Sequence, residues 1–105
     1  METILDKEPV KRVKKAITTF DSNLKIIVLN STARTAKDAA FSLKCEIGAI
    51  VKSLLFKVGK SFLICLVAGD KRCSLNKLKK ILNENDVCMA NPNEVKENTG
   101  FSIGG

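Results

Sequence analysis

Apolar residues recur along this chain in two rhythms, and the changes of rhythm mark its elements. Val10, Val13, Ile17 and Phe20 follow at spacings of three and four, so they share one face of a helix that Pro9 can open. Lys11, Arg12, Lys14 and Lys15 fall largely on its other face. Asp21-Ser22-Asn23 reads as a turn, and Leu24 to Leu29, rich in Ile and Val, predicts a strand. After a loop, Thr35 can cap a second helix with Asp38 in its first turn. Ala36, Ala39, Ala40 and Leu43 give that helix a small-residue packing face, and Gly48 falls just past its expected end.

Two apolar runs follow, Ile50 to Phe56 and Phe62 to Ala68, joined by Lys57-Val58-Gly59-Lys60. A short glycine-containing connection between such runs predicts a β-hairpin. Both runs are apolar on both alternating faces, which predicts central strands covered on each side. Gly69-Asp70 ends the second run. Ser74 can then cap a third helix carrying Leu75, Leu78, Ile81 and Leu82. Val87 to Ala90 reads as a short strand, Asn91-Pro92 as a turn, and Glu94 to Asn98 as a short helix or turn. The Gly-punctuated stretch Thr99 to Gly105 reads as extended. Helices alternate with strands around a central hairpin, so the class is mixed α/β with a partly antiparallel sheet, in one domain over residues 1–105.

Composition narrows the partners. Lys and Arg number 18 against 11 acidic residues, a net charge of +7. A basic surface favours polyanions, nucleic acid first among them, although a Lys-rich surface is also what plain solvation produces. The chain has four cysteines without CxxC spacing and no His, so a metal site is not expected. Cys65 suits a buried free thiol in a reducing, cytoplasmic setting. The stretch Ile50 to Ala68 is interrupted by Lys52, Lys57 and Lys60, which argues against a membrane span. The charged N-terminus carries no apolar signal-peptide segment. No Walker loop or dinucleotide fingerprint appears, so no cofactor is expected.

One residue does not fit its surroundings. Alternation places Lys52 on the same strand face as Ile50, Leu54 and Phe56. A desolvated ammonium must find a carboxylate, a phosphate or backbone acceptors, which makes Lys52 a site candidate. The alternative is a lysine that snorkels to solvent or pairs with a structural carboxylate. Other features stay open in the same way. Ser31, Thr32 and Thr35 are either a phosphate-binding approach to a helix or a plain N-cap. Gly100, Gly104 and Gly105 either let backbone approach a ligand closely or are ordinary turn glycines.

Several stretches, taken in order, resemble the YbaK/prolyl-tRNA-synthetase-associated editing family. They are Ser31-Thr32-Ala33-Arg34-Thr35-Ala36 with Ala39-Ala40, then Ile50-Val51-Lys52-Ser53-Leu54-Leu55-Phe56. Ala68-Gly69-Asp70, the Leu75 to Leu82 helix, Met89-Ala90-Asn91-Pro92 and Thr99 to Gly105 complete the set. The resemblance implies a mixed sheet curled into a partly closed barrel with flanking helices. It also implies hydrolysis of the ester that joins a wrong amino acid to the tRNA 3′-terminal adenosine, as in Cys- or Ala-tRNA(Pro) editing. Lys52 matches the family's strand lysine and takes the catalytic role. Ser53 stands where relatives carry Ser or Thr, and Thr99 and Gly100 match the Thr-Gly that lines the family pocket; Thr32 and Gly104 join the substrate-binding set. Gly105 matches only the first glycine of the family's Gly-x-x-Pro-x-Gly loop, so the reading is of a domain lacking its last part.

The function expected from the resemblance is deacylation of mischarged tRNA. The partners are then the tRNA acceptor end and, beside it, prolyl-tRNA synthetase. Lys52 would position the ester, backbone amides near Gly100 and Gly105 would stabilise the oxyanion, and a water or a substrate group would attack. With no His, no general base is evident. The missing loop favours the alternative of a catalytically inactive remnant that at most binds the acceptor end. A third reading is a basic ribonucleoprotein-associated module; the absence of Tyr and Trp argues against one that reads bases by stacking.

Overall fold

The computed structural model describes residues 4–29 and 34–103. Two compact units are described in turn, Met1–Asn30 and Ser31–Gly105.

In the first unit a 3-10 turn, Ile4–Asp6, precedes helix α1, Glu8–Phe20. Pro9 sits in the first turn of α1, where its missing N–H costs nothing. The expected apolar stripe is present, yet no residue of α1 is buried, and Phe20 is 87% exposed. Asp21 ends the helix, its N–H donating to the Ile17 carbonyl at 2.8 Å and its carboxylate accepting the Asn23 N–H at 2.9 Å. The strand expected over Leu24 to Leu29 does not form. A strand exists through its ladder, and among the described residues this segment pairs with none; β-rich composition alone does not supply a partner.

The second unit opens with α2, Ala36–Leu43. Thr35 caps it, its hydroxyl accepting the Asp38 N–H at 3.1 Å. Ala40, on the predicted packing face, is 2% exposed. The helix ends at Lys44 in the left-handed region, φ 56°, and not beside Gly48, which falls in the following 3-10 turn Ile47–Ala49.

The hairpin forms as expected, from β1, Val51–Val58, and β2, Ser61–Ala68. Its register runs from Val51 opposite Ala68 to Val58 opposite Ser61. Gly59 takes φ 59° at the first of the two turn positions, the place a type II′ turn gives to glycine. Helix α3, Leu75–Leu82, follows under a Ser74 cap, the Ser74 hydroxyl accepting the Lys77 N–H at 3.3 Å. Strand β3, Val87–Met89, then pairs antiparallel with the far edge of β1, giving the order β2-β1-β3.

The alternation of β1 decides where the core lies. Leu54, Phe56 and Val58 face one way; Phe56, 1% exposed, meets Leu78 of α3 and Val87 of β3, with Cys65 and Cys73 packed against them. Leu55 faces the other way and is also buried. The coverage expected on both faces therefore holds only in the middle of β1, at Leu55 and Phe56, while Val51 is 61% exposed and β2 is not covered. On the face away from α3, Ile64 and Leu66 of β2 stay 54% and 71% exposed.

Helix α4, Pro92–Thr99, absorbs the expected Asn91-Pro92 turn. Asn91 and Glu94 form a reciprocal capping box at 2.8 and 3.0 Å. Lys57 of β1 reaches Glu94 at 3.4 Å, tying the helix to the sheet. The start of the stretch read as extended is instead the end of this helix, with Gly100 at φ 78° as its left-handed cap. The mixed α/β class is as expected, and the described strands all pair antiparallel. No described helix is long and apolar enough to cross a membrane.

Candidate functional site

Lys52 is the second residue of β1 and shares a face with Leu54 and Phe56. The core covers the Phe56 end of that face. At the Lys52 end lies the loop between β2 and α3. Its position follows from the hairpin register: after the last rung, the Gly69 N–H donates to the Ile50 carbonyl at 2.7 Å, and the Lys71 N–H closes back on Ala68 at 3.0 Å. The Lys71 carbonyl is thereby brought over Lys52 and accepts its ammonium at 2.6 Å. Of the partners a half-buried lysine could take, backbone is the one found. The ammonium has three donors, so two remain for a ligand.

Gly69 is what lets the surrounding segments converge. A Cβ there would collide with the Ile47 carbonyl oxygen and lie 2.9 Å from the Ala36 Cβ. The end of β2, the first turn of α2 and the 3-10 turn before β1 can meet because that atom is missing. Asp70 lies over Gly48, its carboxylate 3.1 Å from where a Cβ would stand.

The convergence leaves an open cleft of ≈ 590 Å³. Its charged lining is Arg34, Lys37, Lys52, Lys71 and Arg72 against the single carboxylate of Asp70. Against the Phe56 core, burial and then the neighbouring Cys73 thiol push the Cys65 thiol above its ordinary value, which favours the protonated form.

The other candidate residues lie elsewhere. Ser53 follows Lys52 on the strand, so it points to the opposite face, and it is exposed. The Thr99 hydroxyl donates to the Val95 carbonyl at 2.7 Å and accepts the Phe101 N–H at 3.0 Å, within its own helix end. The Gly100 N–H is engaged by the Lys96 carbonyl at 2.9 Å and in this arrangement is not offered to an oxyanion. Neither residue, nor Ser53, lines the cleft. Ser31, Thr32, Gly104 and Gly105 lie outside the described residues. Thr35 does line the cleft, with its hydroxyl in use as a cap. Sequence reasoning passed over Arg34, Asp70 and Arg72. The signal that could have found them is adjacency: Arg34 precedes the α2 cap, and Asp70 to Arg72 follow the strand end that faces Lys52.

The sequence profile of the aminoacyl-tRNA editing domain matches residues 30–105. The chain belongs to the aminoacyl-tRNA editing domain family. The matched span corresponds to the second unit and contains the whole described lining of the cleft. Among curated relatives, the proline--tRNA ligase of Fervidobacterium nodosum is 30% identical over 103 residues, 98% of this chain and 16% of that protein. The proline--tRNA ligase of Thermosipho africanus is 38% identical over 77 residues, 73% of this chain and 14% of its own length. Among solved structures, a candidate trans-editing enzyme for prolyl tRNA synthetase matches with TM-score 0.86 and 39% identity, over 94% of this chain and 63% of that one. The chain thus spans about a sixth of the ligases it matches and under two thirds of the solved editing protein. Its fold is the YbaK-like editing fold.

Proposed function

We propose that this editing-domain chain is an aminoacyl-tRNA deacylase, hydrolysing the ester of a mischarged tRNA of the Cys- or Ala-tRNA(Pro) type in translation quality control. The observation that carries the reading is Lys52: its ammonium is fixed at 2.6 Å from the Lys71 carbonyl in a cleft otherwise rich in cations. Family membership and the likeness to a candidate trans-editing protein support the same reading. The cleft has the size of a small-molecule site, fit for an aminoacylated terminal nucleotide.

In this proposal Lys52 uses its two remaining N–H donors on the terminal nucleotide or the ester carbonyl and holds the ester for attack. Water adds to the carbonyl carbon, the bond to the ribose oxygen breaks, and the free amino acid and the tRNA leave. Charge develops on the carbonyl oxygen during attack and calls for an amide donor. Since the Gly100 amide is already engaged, Gly105 is the donor proposed for that role. The partners are the tRNA acceptor end and prolyl-tRNA synthetase.

The test is deacylation of tRNA(Pro) charged separately with Cys, Ala and Pro, by the chain and by Lys52→Ala. The expected result is release of Cys or Ala with Pro left in place, and loss of at least ~100-fold in the variant, the scale of removing one transition-state donor. Unchanged deacylation by a folded Lys52→Ala would refute the role of Lys52. No release from any of the three by the folded parent chain would refute deacylation.

A further inference from the structure

The cleft holds more positive charge than one catalytic lysine requires. Arg34 comes from the segment before α2, Lys52 from β1, and Lys71 and Arg72 from the loop before α3, so the fold gathers cations that the sequence keeps far apart. With Lys37 and the one carboxylate of Asp70, the lining carries a net four positive charges. Among the described residues, none of these cations forms an ion pair; Lys57 pairs with Glu94 on the other face of the sheet. Like charges brought together without counter-charges repel, and a concave surface concentrates their field outward onto a ligand. The first turn of α2 adds its positive dipole end on the same side.

The kind of anion follows from the donors. Guanidinium groups present planar forks that match phosphate oxygens, while Lys37 and Lys71 add point charges. The cleft is open and large enough for a nucleotide, but it is no groove for a duplex. We propose that Arg34 and Arg72, supported by Lys37 and Lys71, form a phosphodiester-binding rim around Lys52 that grips the backbone of a single-stranded RNA 3′ end independently of its bases. For the source of the phosphodiester, the inference rests on the deacylase reading; for the site itself, it rests on the charge the fold assembles.

The experiment measures binding of a short fluorescent single-stranded RNA with a free 3′ end across a salt series. The parent chain is compared with Arg34→Ala/Arg72→Ala and with Lys11→Ala/Lys15→Ala, which removes the same charge from α1. Each phosphate released from contact lowers the log–log salt slope by about 0.7, so the cleft double variant should lose about 1.4 and the α1 variant far less. Arg34→Lys/Arg72→Lys, which keeps the charge, should retain most of the slope and lose affinity, because the fork is gone. Circular dichroism checks that each variant is folded; all four substituted side chains are exposed. Equal slope losses in the two alanine variants would show a net-charge effect only and overturn the rim. So would inorganic phosphate competing as well as the RNA at equal concentration, which would mean a free-phosphate site. The deacylase reading is separable. Lys52-dependent deacylation whose KM is untouched in Arg34→Ala/Arg72→Ala refutes the rim alone. The predicted slope loss in a chain that releases no amino acid refutes deacylation alone.

Discussion

Gly69→Ala tests the convergence that builds the cleft. The added methyl would overlap the Ile47 carbonyl oxygen and sit 2.9 Å from the Ala36 Cβ and 3.2 Å from the Ile50 Cβ. Relaxed carbon–carbon contacts lie near ~3.5–4.0 Å, so all three neighbours must move. Two of them are Cβ atoms and one is backbone, and none can swing aside as the end of a flexible side chain could. Overpacking of this kind costs about 1–3 kcal/mol. The displaced segment includes the Lys71 carbonyl, so the 2.6 Å bond to Lys52 should lengthen and the ammonium lose its fixed position. The control is Gly59→Ala, at φ 59° with nothing within 4 Å of the new Cβ. There the left-handed backbone costs about 1–2 kcal/mol, offset in part by about 0.4–1 kcal/mol from a stiffer unfolded chain. Urea unfolding should move the midpoint down by roughly 1 M for Gly69→Ala, taking about 2 kcal/mol over a slope of about 2 kcal/mol per M, and by less for Gly59→Ala. Deacylation measured where both variants are folded should fall in Gly69→Ala and hold in Gly59→Ala. If Gly59→Ala proves the more damaging of the two, or if Gly69→Ala is as stable and active as the parent, the close approach is not what shapes the site.

Three further outcomes are expected. Phe56→Ala removes the most buried side chain and should cost about 3–5 kcal/mol, a large share of the ~5–15 kcal/mol of a domain this size; a loss under 1 kcal/mol in urea unfolding would place the core elsewhere. The Asn91 N–H, and then Lys57, hold the Glu94 carboxyl below its ordinary value of 4.5. A depressed pKa stabilises the fold above that value, and the benefit is lost as pH falls through the lower folded value, so the stability gap between the parent and Glu94→Gln should be constant near neutrality and close below 4.5. A gap that widens in acid would contradict the capping arrangement. Alkylation by iodoacetamide at neutral pH, read by mass spectrometry, should label the exposed Cys45 and Cys88 before Cys65, whose thiol is raised by burial; Cys65 reacting first would contradict its packing against the core.

The sequence by itself determined what is local. The spacing of Val10 to Phe20 and of Leu75 to Leu82, the Thr35 and Ser74 caps, and the glycine of the hairpin turn each describe how a few neighbouring residues satisfy their own backbone and orient their side chains, so α1, α2, α3 and the hairpin were legible. Lys52 stood out because alternation alone set it beside Leu54 and Phe56. Tertiary structure decided what depends on partners. Periodicity tells which way a side chain points but not what lies against it, so Leu24 to Leu29 looked like a strand without having a ladder, and β2 looked covered while Ile64 and Leu66 stay exposed. The resemblance sets Thr99-Gly100 at a pocket, and the hydrogen bonds to Val95 and Lys96 show that in this structure they also close α4, which the sequence did not reveal. The cleft was the least legible feature. Arg34, Lys52 and Arg72 belong to segments far apart in the chain, and they meet because the β1–β2 register and the missing side chain of Gly69 bring three backbone segments within contact.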